Sequence, residues 1–336
     1  MSTKKTVQTC GKLYWVGEYA VLYPKQGAII KNIPIYMTAT IETAEHYQLA
    51  SDMFDYSVGL EPDASYALIQ ETVLVMNNFL ASQGLSSRAF SLSISGKMEK
   101  EGKKIGLGSS GSVVILTLKA MAALYELDLS SEQLFKLASY VLLKRGDNGS
   151  MGDVACIAYE DLIYYQAFDR QAIKKMIEAM SLEQVLAADW GYVIRRITPS
   201  LSFDFLVGWT KEPAISKDMI KLVQAAINPA FLAATQEQVL LLEQALTVGD
   251  KVAIKASLNK VGSLLADLSP AIYNEKLKQL RSASSGLDSV AKSSGAGGGD
   301  CGIALAFDQQ AREIIKQRWQ EAGIDLLYQE RIGQNE

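Results

Sequence analysis

The chain has 336 residues, 49% of them apolar or aromatic, which is ample for one large core or for two lobes. It carries 37 acids against 33 Lys and Arg, a net charge of −4 with no basic block, which argues against nucleic acid as a partner. A single histidine, His46, argues against multi-histidine metal sites and His-driven nucleophilic catalysis. Cys10, Cys156 and Cys301 are too few and too far apart for a disulfide framework. Residues 1–10 lack the apolar core of a signal peptide and no apolar run is long enough to span a bilayer. The expectation is a cytoplasmic protein without a membrane partner.

In chain order, residues 11–49 alternate and are rich in β-branched and aromatic side chains, which predicts strands. Within them lies Lys12-Leu-Tyr-Trp-Val-Gly-Glu-Tyr-Ala-Val21, with Trp15 read as core. Residues 66–80 have helical spacing, and residues 90–95 alternate as a short strand. Lys97, Lys100, Lys103 and Lys104 then lead into a glycine–serine loop, Gly106-Leu107-Gly108-Ser109-Ser110-Gly111-Ser112. A solvated loop accounts for these lysines, but Lys104 is also near enough to reach a bound polyphosphate. An apolar helix follows over about 113–124, and a second over 131–144 opens on Ser-Ser-Glu-Gln. Gly146 to Asp153 is turn-rich and precedes the apolar stretch 154–159.

The pattern breaks near 185–200, at Trp190-Gly191 and Thr198-Pro199, which sets an expected division into lobes 1–190 and 191–336. Beyond it come a strand at 203–209 and helices near 217–227, 229–247 and 250–266. A second glycine loop spans 292–300, within a Ser/Gly-rich stretch, and a strand (302–307) and a helix (309–322) follow it. Strands and helices mix without a regular βαβ rhythm, so the class is α+β.

Glycines let a backbone approach a bulky anion, and the amides at a helix start then point at it. The first loop fits Gly-x-Gly-x-x-Gly literally, but the charged residues 97–104 before it are no buried parallel strand, and no acid closes a second strand about 20 residues on. A protein-kinase glycine loop would be followed by a strand, where this one is followed by a helix. No Walker sequence is present. What remains is a loop capping a helix, which serves equally as a phosphate cradle or as a plain turn.

The three segments Lys12–Val21, Gly106–Ser112 and Lys292–Gly302, taken in order over nearly the whole chain, resemble the GHMP kinases. Within that superfamily the sequence is most similar to the bacterial phosphomevalonate kinases. Tyr19 stands where mevalonate and galactose kinases usually carry His, and Gly208-Trp-Thr…Ala214-Ile-Ser-Lys217 resembles a substrate loop. Gly111 departs from the alanine of many relatives. The resemblance implies a two-lobed α+β fold with the active site in the cleft between lobes, and ATP with Mg²⁺ as cofactors. It implies phosphomevalonate as the small-molecule partner and leaves the oligomeric state open. Mevalonate kinase, a related decarboxylase and a non-catalytic nucleotide sensor are the alternatives.

By the same resemblance, Lys12 and Asp153 are the reacting pair, with Lys12 keeping Asp153 ionised and neutralising charge on the transferred phosphoryl. Lys104, Gly106, Leu107, Gly108, Ser109, Ser110, Gly111 and Ser112 would hold the nucleotide. Ser110 would also ligate Mg²⁺, with Asp147 as the second ligand. Tyr19, Ser150, Ser216, Lys217, Ser294 and Gly295 would face the substrate. Ser216 reads equally well as an ordinary N-cap, and Asp300 reads as a builder of the third loop.

Overall fold

A computed structural model describes residues 4–96, 98–214 and 216–333. Lys97 and Ile215, which belong to two of the segments above, lie outside the described residues. The first lobe contains strands β1 (Lys5–Val16), β2 (Gly27–Thr43), β3 (Gln48–Ser51), β4 (Ser57–Val58) and β5 (Phe90–Ser95). A small hairpin, β6 (Glu99–Lys100) and β7 (Lys103–Lys104), precedes β8 (Leu162–Gln166) and β9 (Val193–Arg196). Its helices are α1 (Ala67–Ser82), α2 (Ser109–Leu124), α3 (Ser131–Lys144), α4 (Gly152–Tyr159), α5 (Arg170–Ala179) and α6 (Leu182–Ala187).

The long strand β2 organises this lobe. One edge pairs antiparallel with β1 along most of its length. The other pairs with β8 through Gly27–Lys31 and with β5 through Thr38–Thr43. Ile29, Ile30, Ile33, Ala39 and Ile41 are almost fully buried along it, as a strand covered by helices requires. β9 continues the same sheet beyond β8.

The second lobe begins with β10 (Phe203–Trp209). Among the described residues its sheet has the order β11–β12–β10–β13, with β11 at Ser289–Ser293, β12 at Cys301–Ala306 and β13 at Asp325–Ile332. Helices α7 (Ser216–Val223), α8 (Pro229–Val248), α9 (Lys251–Leu268), α10 (Glu275–Ser282) and α11 (Gln309–Glu321) complete it. The sheets change between Arg196 and Phe203.

The lobes share a core. Trp15 of β1 is fully buried against Phe203 and Phe205 of β10, with ring centroids 6.0 and 5.3 Å apart. The Gln236 side chain of α8 accepts the Gly27 amide at 2.6 Å. His46 is exposed, and the three cysteines are buried and free. Among the described residues no helix is long and apolar enough to cross a membrane.

Several elements were not anticipated from sequence: β8, β9, β11, β13, α5, α6 and α10. The expected turn-rich loop also ends early. Asp153 is the second residue of α4, because Met151 takes a left-handed conformation (φ 65°) and turns the chain directly into a helix.

Candidate functional site

Between the lobes lies a solvent-open cleft. Its walls come from five places: β1 with the following turn, the glycine loop before α2, the loop before α4 with its first turn, the β11–β12 connection, and α7. Of the anticipated residues, Lys12, Tyr19, Gly106, Ser150, Asp153, Ser216, Ser294 and Gly295 line it. Glu18, Tyr14 and Asp300 line it too.

The glycine loop is shaped around charged neighbours. Gly106 (φ 85°) and Gly108 (φ 86°) hold left-handed conformations. A Cβ at Gly106 would stand 2.5 Å from the Asp300 carboxylate, and one at Gly108 would stand 2.9 Å from Cε of Lys12. Only glycine combines that backbone with that proximity. Gly108 caps α2 without a side chain, so the amides of Ser109, Ser110 and Gly111 have no intrahelical acceptor and are free for an anion. Ser110 is exposed, and among the described residues no protein group engages its hydroxyl.

Ser112 does not belong to this cradle. It is fully buried, its one hydroxyl proton is shared between the carbonyls of Cys10 and Gly108, and its amide is spent on Gly108. A serine one turn into a helix bonds back to residue i−4, which turns it from the ligand side to the β1 side. Leu107 is also buried and contributes its carbonyl to the Lys12 amide at 3.0 Å.

Lys12 is 8% exposed and donates from Nζ to the Gly106 carbonyl at 3.3 Å. It makes no ion pair with Asp153 at 4.0 Å or less. Burial pushes the Asp153 carboxyl above its ordinary value, and the opposing pull of Lys12 and of the Val154 amide does not overcome it. Lys12 still favours the ionised carboxylate, as expected, although desolvation is the larger effect. Asp300 is pushed up by burial in the same way, against the Ala214 amide, Lys12 and Lys104.

Gly111 lies beside Asp153. A Cβ there would meet Asp153 Oδ2, Val154 Cγ2 and Ile157 Cδ1, each at 3.5 Å, which is ordinary contact. Gly111→Ala is therefore expected to stabilise the protein by about 0.5–1 kcal/mol through helix propensity. Chemical denaturation checks this, and a destabilised variant would show that the space is not there.

On the opposite wall Tyr19 donates to the Ala296 carbonyl at 2.5 Å, and Ser294 donates to the Tyr14 carbonyl at 2.8 Å. The Ser150 hydroxyl accepts the Gly152 amide and shares a 3.0 Å hydrogen bond with Tyr14. Ser216 is the first residue of α7 and faces the cleft, whereas the exposed Lys217 next to it does not line it. Exposed Lys104 stands on β7 and acts on Asp300 electrostatically. Asp147 is outside the lining; its Oδ1 caps the Gly149 amide at 2.6 Å.

Sequence reasoning missed the floor of the cleft. Glu18 and Lys292, both almost fully buried, form an ion pair of 2.5 Å that ties the first lobe to the second. Lys292 Nζ also donates to the Ser293 carbonyl, while Glu18 Oε2 has no hydrogen-bond partner. Both residues sit within recognised segments. The only available signal was a charged residue in an otherwise apolar or small-residue run. Asp300 does build its loop, through bonds to Thr210, Glu212 and Ala214, but its carboxylate also reaches the cleft.

No three His, Cys, Asp or Glu side chains among the described residues could form a metal cage. Mg²⁺ takes one or two protein oxygens and completes its shell with water and phosphates. The uncommitted Ser110 hydroxyl at the start of α2 fits such a cation.

Two family models match the chain: the GHMP kinases N terminal domain over residues 67–161 and the GHMP kinases C terminal domain over 242–325. A phosphomevalonate kinase of Streptomyces sp. (strain CL190) is 30% identical, over 94% of this chain and 93% of its own. The solved Streptococcus pneumoniae phosphomevalonate kinase in complex with phosphomevalonate and AMPPNP is 55% identical. That alignment covers 98% of this chain and 100% of the other, with a TM-score of 0.96. A mevalonate kinase of Methanococcus jannaschii superposes with a TM-score of 0.73 over 99% of each chain, at 19% identity, and so shares the fold alone.

Proposed function

This chain belongs to the GHMP kinases, and from that premise we propose that it is a phosphomevalonate kinase, moving the γ-phosphoryl group of ATP onto the phosphate of 5-phosphomevalonate. The observation that carries the reading is 55% identity over essentially the full length to a protein of that activity, solved with phosphomevalonate and AMPPNP.

The chemistry follows from the acceptor. A phosphomonoester has a second pKa near ~6, so at neutral pH it is largely dianionic and no proton has to be removed. One of its oxygens forms a bond to the γ-phosphorus as the bond to the β,γ-bridging oxygen breaks, and ADP leaves. What opposes the step is repulsion between two polyanions, and cations and amide dipoles must offset it. In this reading the Ser109, Ser110 and Gly111 amides hold the nucleotide phosphates, with Gly106, Gly108 and Lys104 beside them. Ser110 would also hold Mg²⁺, which supplies charge neutralisation across the phosphates. Ser150, Ser216, Ser294, Gly295 and Tyr19 would orient the acceptor, and Lys12 would carry charge to the transferred group.

Asp153 then serves to position the acceptor, and to act on Lys12 electrostatically, rather than to act as a base. Asp153→Asn is expected to lower kcat by up to about 10²-fold, the cost of misplacement. A loss as complete as that of Lys12 would sink the positioning role. The same variant has a signed effect on stability. The folded carboxyl titrates above its ordinary 3.8, so as pH rises through that window the unfolded chain sheds the proton first and stability falls. Asn carries no such cost, so Asp153→Asn should be the more stable protein near neutrality, with the advantage vanishing below the ordinary carboxylate range.

The test of the function is ADP release with Mg-ATP and, separately, mevalonate, phosphomevalonate and diphosphomevalonate, with free phosphate followed in parallel. Turnover with phosphomevalonate alone and no free phosphate is expected. Turnover with mevalonate would move the assignment to its sister enzyme, and phosphate release with diphosphomevalonate would move it to the decarboxylase.

A further inference from the structure

Arg170, the first residue of α5, lies just outside the cleft and makes an unusual set of bonds. Its Nη1 donates to the carbonyls of Asn148 and Gly149, the latter at 2.5 Å, and its Nη2 donates to the carbonyl of Leu22. Among the described residues it has no carboxylate partner at 4.0 Å or less. The adjacent Asp169 caps α5 through the Gln171 and Ala172 amides instead. A guanidinium whose donors meet only backbone oxygens is a brace for the chain rather than half of an ion pair.

The braced segments are two walls of the site. Gly149 and Ser150 lead through Met151 into the first turn of α4, which carries Asp153, and Leu22 closes the turn that begins at Tyr19. Tyr165 donates to the next carbonyl, that of Ser150, at 2.7 Å, so three successive peptide oxygens, 148 to 150, are each held. Lys174 adds a 2.8 Å bond to the Asn148 side chain. The planar fork of arginine can reach both segments at once; a lysine ammonium is a single point with three donors and cannot span them equally.

We propose that Arg170 is a positioning residue for phosphoryl transfer, fixing the Asn148–Ser150 backbone against Leu22 so that Asp153 and Ser150 meet the acceptor in register. The proposal rests on the kinase reading of the same site. Its consequence is a kcat effect larger than any effect on nucleotide affinity, since the nucleotide cradle at α2 is not touched by Arg170.

The experiment compares wild type, Arg170→Ala and Arg170→Lys in the full-length protein. Arg170→Ala is expected to lose about 10- to 100-fold in kcat with KM for ATP within about threefold, the scale of a misplacement near 1 Å. Guanidinium at millimolar concentration should restore part of that loss and should not activate the wild type. Arg170→Lys, which keeps the charge and serves if the alanine variant folds poorly, should still show most of the loss in kcat. Hydrogen exchange of a peptide spanning 147–153, measured without substrate, should accelerate in both variants. A kcat within about twofold of wild type, or unchanged exchange in 147–153, would overturn the proposal. Faster exchange with a wild type that ignores phosphomevalonate would instead strike the assigned reaction and leave the brace standing.

Discussion

Lys12→Met should abolish nearly all turnover while leaving the protein folded and able to bind nucleotide. The lysine projects from β1 into the cleft, is 8% exposed, and in the free protein rests on the Gly106 carbonyl at 3.3 Å with no carboxylate bonded to it. That contact lets it swing to an arriving phosphoryl group without first breaking an ion pair. Removing one preorganised charge that acts on the transition state costs about 10²–10³-fold in kcat. The upper end is expected here, because both substrates are polyanions and the proposed reaction has no proton transfer to share the work. Methionine has a similar length and fills the same space, so the protein should stay folded, although Asp153 and Asp300 lose the opposing charge of Lys12. Single-turnover kinetics with nucleotide affinity measured separately checks this. A variant that kept a tenth of wild-type kcat, or that lost only nucleotide binding, would remove Lys12 from the transfer step.

The sequence announced elements that carry their own punctuation. Helix α3 spans Ser131–Lys144 as expected, because Ser130 and Gln133 form a reciprocal capping box. Asn228 with Pro229, and Gly249 with Asp250, mark α8 and α9 in the same way. Strands β5 and β10 matched their predicted ranges. The strand β11 had no such signal: Ser289 to Ser293 is buried on both faces and lies in a Ser/Gly-rich tract, so neither alternation nor composition marks it, and pairing with β12 makes it a strand. The start of α4 was missed because its cap is Met151 in a left-handed conformation, with no capping side chain.

The site was legible where function rests on local chemistry. Glycines 106 and 108 and the free amides after them follow from the loop sequence itself. Lys217 lies outside the cleft lining although Ser216 beside it lines it, and Ser112 is buried, because helix rotation of about 100° per residue turns neighbouring side chains in different directions. Arg170 and the Glu18–Lys292 pair act across sequence separations that no local pattern records.

That pair supports the second large prediction. Lys292→Met is expected to cost about 3–5 kcal/mol of stability, since it leaves the almost fully buried Glu18 carboxylate between the lobes without its counter-ion. Neutralising both members should be milder than neutralising one: the double variant Glu18→Gln with Lys292→Met removes both desolvation penalties together and should recover most of the loss. Urea unfolding of the two single variants and the double variant measures the coupling. Single and double losses that simply add would mean that the pair is not coupled, and a Lys292→Met loss below about 1 kcal/mol would mean that water reaches Glu18. If the coupling is found, the floor of the cleft is a charge pair that is costly to break, and it keeps the two anion-binding walls in register before either substrate arrives.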